Sequence, residues 1–281
     1  MTRHSEANTE NKSDLASGIG ALGRSLTAPT PDYLVTKNCG VCLASNSLKI
    51  HSTFPSEVEN ETVLYVCSRC TAIYNSTSET NKLENDVEQS EWFEEQDCYT
   101  FPAEVEEFEA LVVASSAIFQ WFSEHFDFEF SGKSFCEIGA GTGAASIAAS
   151  RYFDECTSTD ITLSRLHKAK DLSNTRNLTI IEREDADRLK FDFFFAWHVF
   201  EHLMNPGQVF IDAFGQLNPG GVMFLQMPLM TERHIFPAHI FMHNQYSWTR
   251  VLSKLPVKEK HFFYDTALCA MTLVVVKKDA A

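Results

Sequence analysis

The chain has 281 residues, of which 44% are hydrophobic and 12% aromatic, and it carries a formal net charge of −15. These values suit a globular protein with room for one large domain, or for a medium domain and a small one. No apolar run approaches the roughly 20 residues of a membrane-spanning helix. The negative charge argues against a phosphate backbone as partner, so the composition favours a soluble protein and excludes a membrane or nucleic-acid partner as the first hypothesis.

Residues 1–32 are polar and small and contain no aromatic side chain. They also lack the apolar run and cleavage pattern of a secretory signal, so we expect a disordered tail and a cytoplasmic protein. Thiols are kept reduced in the cytoplasm. The eight cysteines of the chain are therefore predicted to be metal ligands or buried thiols, not disulfides.

Two C-x-x-C pairs, Cys39-Gly-Val-Cys42 and Cys67-Ser-Arg-Cys70, are separated by 24 residues. Each pair can present two thiolates from a tight turn, and two such turns complete a tetrahedral site that suits Zn²⁺. A redox pair, or a set of merely buried cysteines, is the alternative. Because a four-thiolate site has no open position, we expect a structural zinc in a ribbon module spanning 33–76.

An acidic segment without clear periodicity, 77–100, follows the ribbon and is predicted to be a linker or a loose lid. The pattern changes at residue 101, where apolar residues at three- and four-residue steps predict an amphipathic helix. Strands and helices alternate beyond it, which predicts an α/β fold with a mainly parallel sheet covered on both faces over 101–281. The predicted elements are strand 134–139, a helix from 144, strand 156–159, helix 163–172, strands 178–181 and 191–197, helix 206–217, strand 222–226, helix 247–255, and strands 259–264 and 271–276.

The glycine-rich segment from Gly139 to Gly143 joins a predicted strand to a predicted helix. Glycine permits positive φ and close approach of a ligand, and the helix N-terminus offers unpaired N–H groups. Asp160 ends the next strand, where a carboxylate can accept both hydroxyls of a ribose. The spacing G-x-G-x-G differs from the G-x-G-x-x-G of dinucleotide sites, and Glu137 would place a negative charge near a pyrophosphate. A nucleotide-like ligand other than a dinucleotide is indicated.

Cys136-Glu-Ile-Gly-Ala-Gly-Thr-Gly143 resembles the first motif of class I S-adenosylmethionine-dependent methyltransferases. The resemblance continues through the fourth-strand segment Phe191–Leu203 and the turn Asn218-Pro-Gly-Gly221. It implies a Rossmann-like domain, with a mainly parallel seven-stranded sheet and helices on both faces. It also implies an enzyme that transfers a methyl group from S-adenosylmethionine to a small-molecule acceptor.

The resemblance further implies that the glycine loop backs the methionine part of the cofactor, that Asp160 holds the ribose and that Asp185 contacts the adenine. Trp197 is expected to serve as cofactor wall and core. The complete set of cofactor-binding candidates is Glu137, Gly139, Ala140, Gly141, Gly143, Asp160, Ile161, Asp185, Ala186, Trp197 and His198.

Methyl transfer is an in-line displacement, so positioning should supply much of the catalysis, and a base is needed only if the acceptor loses a proton. His239 is the first choice for that base because it lies in an irregular segment expected to overhang the acceptor pocket. Glu201 and His202 are equally open to a role in orienting a loop. The complete set of catalytic candidates is His239, His202, His243, Glu201 and Tyr246.

The ribbon ahead of the domain resembles a branch that methylates nucleotide-linked deoxysugars at carbon, with relatives in polysaccharide and natural-product clusters. That branch has a Glu-His pair where this chain has Ala238-His239, and it carries a further C-terminal domain. A nucleotide-linked sugar or a polysaccharide or natural-product precursor is therefore a suggested acceptor. The alternatives are a non-catalytic adaptor that binds S-adenosylmethionine, and an RNA or protein methyltransferase whose ribbon grips the macromolecule. A homodimer is one possible assembly.

Overall fold

A computed structural model describes residues 38–45, 47–54, 62–76, 101–186, 188–229, 231 and 239–280. The predicted tail 1–32 and the predicted linker 77–100 lie outside the described residues. Among the helices that the structure describes, none combines the length and the apolar character needed to cross a membrane.

The described elements form two sheets and the helices that cover the larger one. The strands are β1 Leu48–Phe54, β2 Thr62–Cys67, β3 Ile73–Ser76, β4 Ser134–Ile138, β5 Glu155–Thr159, β6 Leu178–Ile180, β7 Phe191–Trp197, β8 Leu217–Pro228, β9 Phe241–Met242, β10 Val257–Asp265 and β11 Ala270–Lys277. The helices are α1 Val105–His125, α2 Ala144–Ala149, α3 Leu163–Ser173, α4 Arg183–Ala186, α5 Pro206–Gln216 and α6 Gln245–Leu252, with a 3₁₀ turn at Phe200–His202.

The larger sheet has seven strands in the order β10-β11-β8-β7-β4-β5-β6. The strands from β4 to β8 pair in parallel, and β11 adds an antiparallel edge hairpin with β10. This mainly parallel Rossmann-like sheet confirms the predicted fold class. Because all the parallel strands point the same way, the loops that follow β4, β5 and β7 meet at one edge, where ligands bind in such folds.

Aromatic side chains bind α1 to the larger sheet. The helix buries Phe119 and Phe122 among its contacts, and the ring of Phe119 lies 5.9 Å from that of Phe135 on β4 and 5.9 Å from that of Phe195 on β7. Glu106 and Glu107 lie in the first turn, where acidic groups favour the helix dipole. The predicted amphipathic helix is therefore confirmed, and it covers one face of the larger sheet.

The segment Asn218-Pro-Gly-Gly221 lies inside β8 and is not the turn that the sequence suggested. The strand begins at Leu217, which pairs with Phe191, and the register shifts before Phe193 pairs with Val222. Asn218 donates from Nδ2 to Oδ1 of Asp192 at 3.1 Å, so the irregular stretch is held against β7. The bulged pairing allows this part of the chain to remain in the strand.

The smaller sheet has the order β1-β2-β3-β9. In the chain, β1 lies between the two cysteine pairs, β2 ends at Cys67 and β3 follows the second pair. Strand β9 comes from the segment after β8. Tyr74 pairs with Phe241, and Ile73 pairs with Met242. No sequence pattern predicted β9, because this two-residue strand exists only through its pairing with a remote part of the chain.

Candidate functional site

A cavity of about 1080 Å³ opens at the carboxyl ends of the parallel strands β4, β5 and β7. This volume lies slightly above the usual range for small-molecule sites, about 300–1,000 Å³, so it has room for a cofactor and an acceptor together. Many of the predicted site residues line it. They are Glu137, Gly139, Ala140, Gly141, Asp160, Ile161, Ala186, Trp197, His198, Glu201, His202 and His239.

The glycine loop after β4 has positive φ at Gly139 (63°), Gly141 (54°) and Gly143 (79°). A Cβ at Gly139 would lie 2.4 Å from Cγ2 of Val199, so only glycine fits beside the chain that follows β7. Nothing lies within 4 Å of a Cβ at Gly141, which faces open space at the cavity. Gly143 does not line the cavity; it is the N-cap of α2 and packs under Leu166. Its predicted role at the cofactor is thus indirect.

Asp160 lies at the end of β5 and holds the glycine loop directly. Its Oδ2 accepts the N–H of Gly141 at 2.8 Å, and its Oδ1 accepts the N–H of Thr162 at 2.9 Å. Burial raises the pKa of Asp160, although these hydrogen bonds act to lower it. Each carboxylate oxygen retains a further lone pair, so the group can still accept the hydroxyls of a ribose.

Glu137 lies beneath the glycine loop and is 2% exposed. Its carboxyl group is hydrogen-bonded to Oγ of Ser146, which in turn lies 2.6 Å from Oγ of Ser158. Burial raises the pKa of Glu137 to about 8. The Glu137 carboxyl group is therefore expected to be mainly uncharged at neutral pH, in contrast to the sequence interpretation. Glu137 then gives no electrostatic reason to exclude a pyrophosphate from this site.

The predicted contact of Asp185 with an adenine is not supported by its position. Asp185 is exposed in the single turn of α4 and does not line the cavity, whereas its neighbours Arg183 and Ala186 do. Trp197 packs in the core and borders the cavity, and its expected contact with a cofactor stays a prediction. Its ring stacks on Phe224 at 6.3 Å with an interplanar angle of 7°, and its side chain also borders the cavity.

A cluster of three histidines surrounds the buried carboxylate of Glu201. Its Oε1 lies 3.1 Å from Nδ1 of His198, 3.9 Å from Nε2 of His202 and 4.0 Å from Nε2 of His239. The 3₁₀ turn Phe200–His202 presents Glu201 and His202, whereas His239 arrives from the segment between β8 and β9. We call these four residues the histidine–glutamate cluster; all of them line the cavity.

Glu201 is fully buried, yet its pKa lies below the usual value. Burial acts to raise this pKa, but the hydrogen bond from His198 and the nearby histidine charges lower it by more. A carboxylate held ionised beside an imidazole stabilises the protonated imidazole. The cluster can therefore take up a proton at the cavity wall.

Two catalytic candidates lie away from the cavity. His243 is buried behind the cluster, where its Nε2 lies 3.1 Å from the carbonyl oxygen of Phe200 and its ring stacks on Trp248 at 5.2 Å. Burial lowers the pKa of His243 to about 4, so its ring stays neutral. Tyr246 is 77% exposed, because the buried face of α6 is formed by its neighbours, including Trp248. Neither residue borders the cavity.

Helix α1 also contributes a wall of the cavity, which the sequence interpretation missed. Leu111, Ala114, Ser115 and Ile118 line the cavity. Leu111 is 41% exposed and lies off the buried stripe that packs on the sheet. An apolar residue outside the core-facing stripe was the available signal, but it was a weak one, because the more exposed Val113 on the same helix does not line the cavity.

The four cysteines of the two pairs converge as predicted. Their sulfur atoms all lie within 4.8 Å of one another, and Cys39–Cys70 and Cys42–Cys67 are each separated by 3.7 Å between Sγ atoms. A tetrahedral zinc with Zn–S distances of about 2.3 Å requires sulfur separations of about 3.8 Å. The donor set and its spacing fit a zinc ribbon.

The other cysteines have no place in this quartet. Cys136 and Cys156 are buried in the larger sheet, and burial raises the pKa of each thiol to about 12. Cys269 is partly exposed near the hairpin turn, and Cys98 lies outside the described residues. Buried or incidental thiols were expected, and the three described cysteines agree with that expectation.

The architecture and the glycine loop define a Rossmann-like α/β domain with a ligand cavity at the carboxyl ends of its parallel strands. Residues 113–268 match the family described as "Methyltransferase domain". This match spans more than half of the chain, and the chain belongs to that family. No curated protein matches the chain.

Solved structures of methyltransferases resemble the chain at low sequence identity. The carbon methyltransferase CurJ is 17% identical, with a TM-score of 0.46, and the match covers 60% of this chain and 54% of that one. Magnesium protoporphyrin IX methyltransferase (ChlM) from Synechocystis is 12% identical, with a TM-score of 0.48, covering 71% of this chain and 98% of that one. The complex that contains the Trm112 methyltransferase activator of Haloferax volcanii holds a chain with a TM-score of 0.50 and 13% identity, covering 62% and 95% of the two chains.

The raised pKa of Glu137 leads to a prediction about stability. The folded protein keeps this proton up to about pH 8, whereas an unfolded glutamate loses it near 4.5. Between these values the folded state binds more protons, so the Glu137 contribution to stability is present at low pH and is lost as pH rises through 8. We expect Glu137→Gln to reduce the fall in Tm between pH 6 and pH 9, measured by calorimetry without ligand. Glu109→Gln, an exposed change on α1, should keep the wild-type pH dependence, and identical curves for all three proteins would contradict the assignment.

Proposed function

We propose that the protein is an S-adenosylmethionine-dependent methyltransferase that acts on a small-molecule acceptor and removes a proton from that acceptor through His239. One observation carries this proposal: the glycine loop with Asp160 and the histidine–glutamate cluster border the same cavity. One set of residues suits an adenosyl cofactor, and the other suits acid–base chemistry. Their common cavity provides a place where donor and acceptor can meet.

The cofactor end of the cavity has the polar groups and the space that an adenosyl ligand requires. The glycine loop leaves open space at Gly141, and Asp160 offers the carboxylate for the ribose hydroxyls. Ile161, Ala186 and Trp197 supply the surrounding wall. When bound, S-adenosylmethionine would supply an electrophilic methyl group on its sulfonium. The protein's own contribution at this end is to bind and orient.

At the acceptor end, His239 is the residue we propose as general base. The residue is 5% exposed and borders the cavity, and its Nε2 lies 4.0 Å from Oε1 of Glu201. A proton taken from the acceptor would reside on the imidazole of His239, where the buried carboxylate stabilises the positive charge. His202, whose ring centroid lies 4.9 Å from that of His239, would share this stabilised environment and restrict the orientation of the base.

The apolar wall from α1 faces the same space and limits the water around the acceptor. Leu111 and Ile118 border the cavity, and so does Leu268 from the β10–β11 turn. Excluding water strengthens the interaction between Glu201 and the histidines.

The acceptor class that we propose is a nucleotide-linked sugar, or another polysaccharide or natural-product precursor. Arg165 and Arg183 at the cavity are suited to its phosphates.

We also propose that the cysteine quartet binds one structural Zn²⁺. All four sulfurs belong to protein side chains, which leaves no position for a substrate. The thiolate ligands need reducing conditions, which favours the cytoplasm.

We expect about one zinc per purified chain by metal analysis and a loss of zinc in Cys67→Ser. Cys269→Ser is the matched control and should retain the metal, because Cys269 is outside the quartet; zinc-free wild-type protein would contradict the proposal.

The proposed ribose contact can be tested by binding alone. Asp160→Ala should weaken binding of S-adenosylhomocysteine about 10- to 150-fold, since hydrogen bonds to a charged group contribute about 1.5–3 kcal/mol. Isothermal titration calorimetry measures the change. Asp185→Ala serves as the control, because Asp185 is exposed and does not line the cavity. Equal affinities of wild type and Asp160→Ala would contradict the ribose assignment.

The proposed base can be tested by turnover. A screen of nucleotide sugars, small hydroxy and amino compounds and a cell extract with labelled methyl donor would first identify an acceptor. His239→Ala should then lower turnover at least about 100-fold, as expected for loss of a general base, without changing the dissociation constant of S-adenosylhomocysteine. Tyr246→Phe, at an exposed position away from the cavity, should retain wild-type turnover. An unchanged rate in His239→Ala would remove His239 from the mechanism, and cofactor binding without any product would favour a non-catalytic adaptor.

A further inference from the structure

The first cysteine knuckle and the start of α5 are in direct backbone contact. The N–H of Gly207 donates to the carbonyl oxygen of Gly40 at 2.9 Å. A Cβ at Gly207 would lie 1.7 Å from the carbonyl oxygen of Val41, and a Cβ at Gly40 would lie 2.1 Å from that of Met204. Two glycines from distant parts of the chain therefore allow the backbones to touch, with no space for a side chain between them.

This contact lies next to the histidine–glutamate cluster in the chain. Met204 follows the 3₁₀ turn Phe200–His202 by two residues, and Gly207 is in the first turn of α5. The turn carries Glu201 and His202, and three residues separate it from α5. A knuckle that fixes the backbone at Met204 and Gly207 therefore also fixes the position of the carboxylate.

The ribbon also holds the segment that includes His239. Strand β9 pairs with β3, and the N–H of Asn75 donates to the carbonyl oxygen of Ile240 at 2.9 Å. His239 immediately precedes Ile240. The ring of Phe241 packs on that of Tyr74 at 5.2 Å, and both residues are buried. The position of His239 is thus set by the ribbon sheet.

Further contacts join the two cysteine knuckles to the segment beyond β9. Asn244 donates from Nδ2 to the carbonyl oxygen of Thr71 at 3.1 Å, and Lys254 donates from Nζ to that of Cys42 at 3.3 Å. His243, directly after β9, lies 3.1 Å from the carbonyl oxygen of Phe200 through Nε2. This last contact links the end of the ribbon-bound strand β9 to the turn that carries Glu201.

We propose that the ribbon is the positioning element of the acid–base cluster, with Gly40, Gly207 and His243 as its positioning residues. It holds Glu201 through the glycine contact and His239 through β9. The inference rests on the proposed function for its catalytic meaning, but the positioning itself can be measured without an acceptor. The glycine loop and Asp160 follow β4 and β5, so cofactor affinity should be insensitive to the ribbon.

The test uses the full chain with Gly207→Ala, and Gly215→Ala as the matched control. Both glycines lie in α5, but nothing is within 4 Å of a Cβ at Gly215, whereas a Cβ at Gly207 strikes Val41. With ¹⁵N-histidine-labelled protein, we expect the ring signals of His202 and His239 to shift in Gly207→Ala and to remain unchanged in Gly215→Ala. The dissociation constant of S-adenosylhomocysteine should stay the same in both. With an acceptor in hand, kcat should fall about 100-fold in Gly207→Ala, as expected for a displacement of about 1 Å at a reacting group.

Wild-type histidine signals in folded Gly207→Ala would overturn the proposal, as would a loss of cofactor binding that parallels the loss of turnover. If Gly207→Ala does not fold, removing the ribbon metal from wild-type protein with a chelator decides the question. The expected result is shifted His202 and His239 signals, retained S-adenosylhomocysteine binding and recovery when Zn²⁺ is added. Unshifted signals, or loss of cofactor binding together with the fold, would refute selective positioning. A wild-type protein without turnover on any acceptor would instead refute the proposed function and leave these ring measurements valid.

Discussion

The burial of the Glu201 carboxylate is the constraint on which the arrangement of the site depends. A charged group removed from water loses several kcal/mol of hydration unless neighbouring groups replace that hydration. Three histidines face its Oε1 and supply part of this compensation, while Oε2 has no hydrogen-bond partner among the described residues. His239 comes from a different part of the chain than His198 and His202. The chain after β8 must therefore return to the loop after β7. The convergence of these segments beside the cofactor loop creates the functional cavity.

The need to stabilise the buried charge of Glu201 also explains why the small sheet belongs to the same compact unit as the large one. The described residues of both sheets fall in one such unit. The segment that brings His239 to the carboxylate is a two-residue strand, too short to be stable without a partner strand. The ribbon provides that partner, and four cysteines suited to one metal hold the ribbon together. Local chemistry at the cysteines is in this way coupled to geometry at the cavity.

The features that could be predicted from the sequence were those set by neighbouring residues. The C-x-x-C pairs, the glycine loop with Asp160 and the apolar periodicity of α1 each depend on short spacings, and the corresponding elements lie where they were expected. The predictions that were wrong, and the features that were missed, depend on contacts between remote segments. Strand β9 exists only through β3, and His243 and Tyr246 were separated from the cavity by the packing of α6. The protonation of Glu137 likewise follows from burial, which its neighbours in the chain do not reveal.

The membership of β9 in the ribbon sheet has a consequence for recombination between related enzymes. Because the first three strands of the ribbon precede the larger sheet in the chain, the ribbon looks like one continuous segment that could be removed or exchanged. The strand Phe241–Met242 would then lose its partner, and two buried apolar side chains would face solvent. A hybrid would therefore have to transfer residues 239–244 together with the donor's ribbon, although some 160 residues separate the two segments. The inherited unit is thus discontinuous in the chain, and its boundary is defined by contacts and not by sequence order.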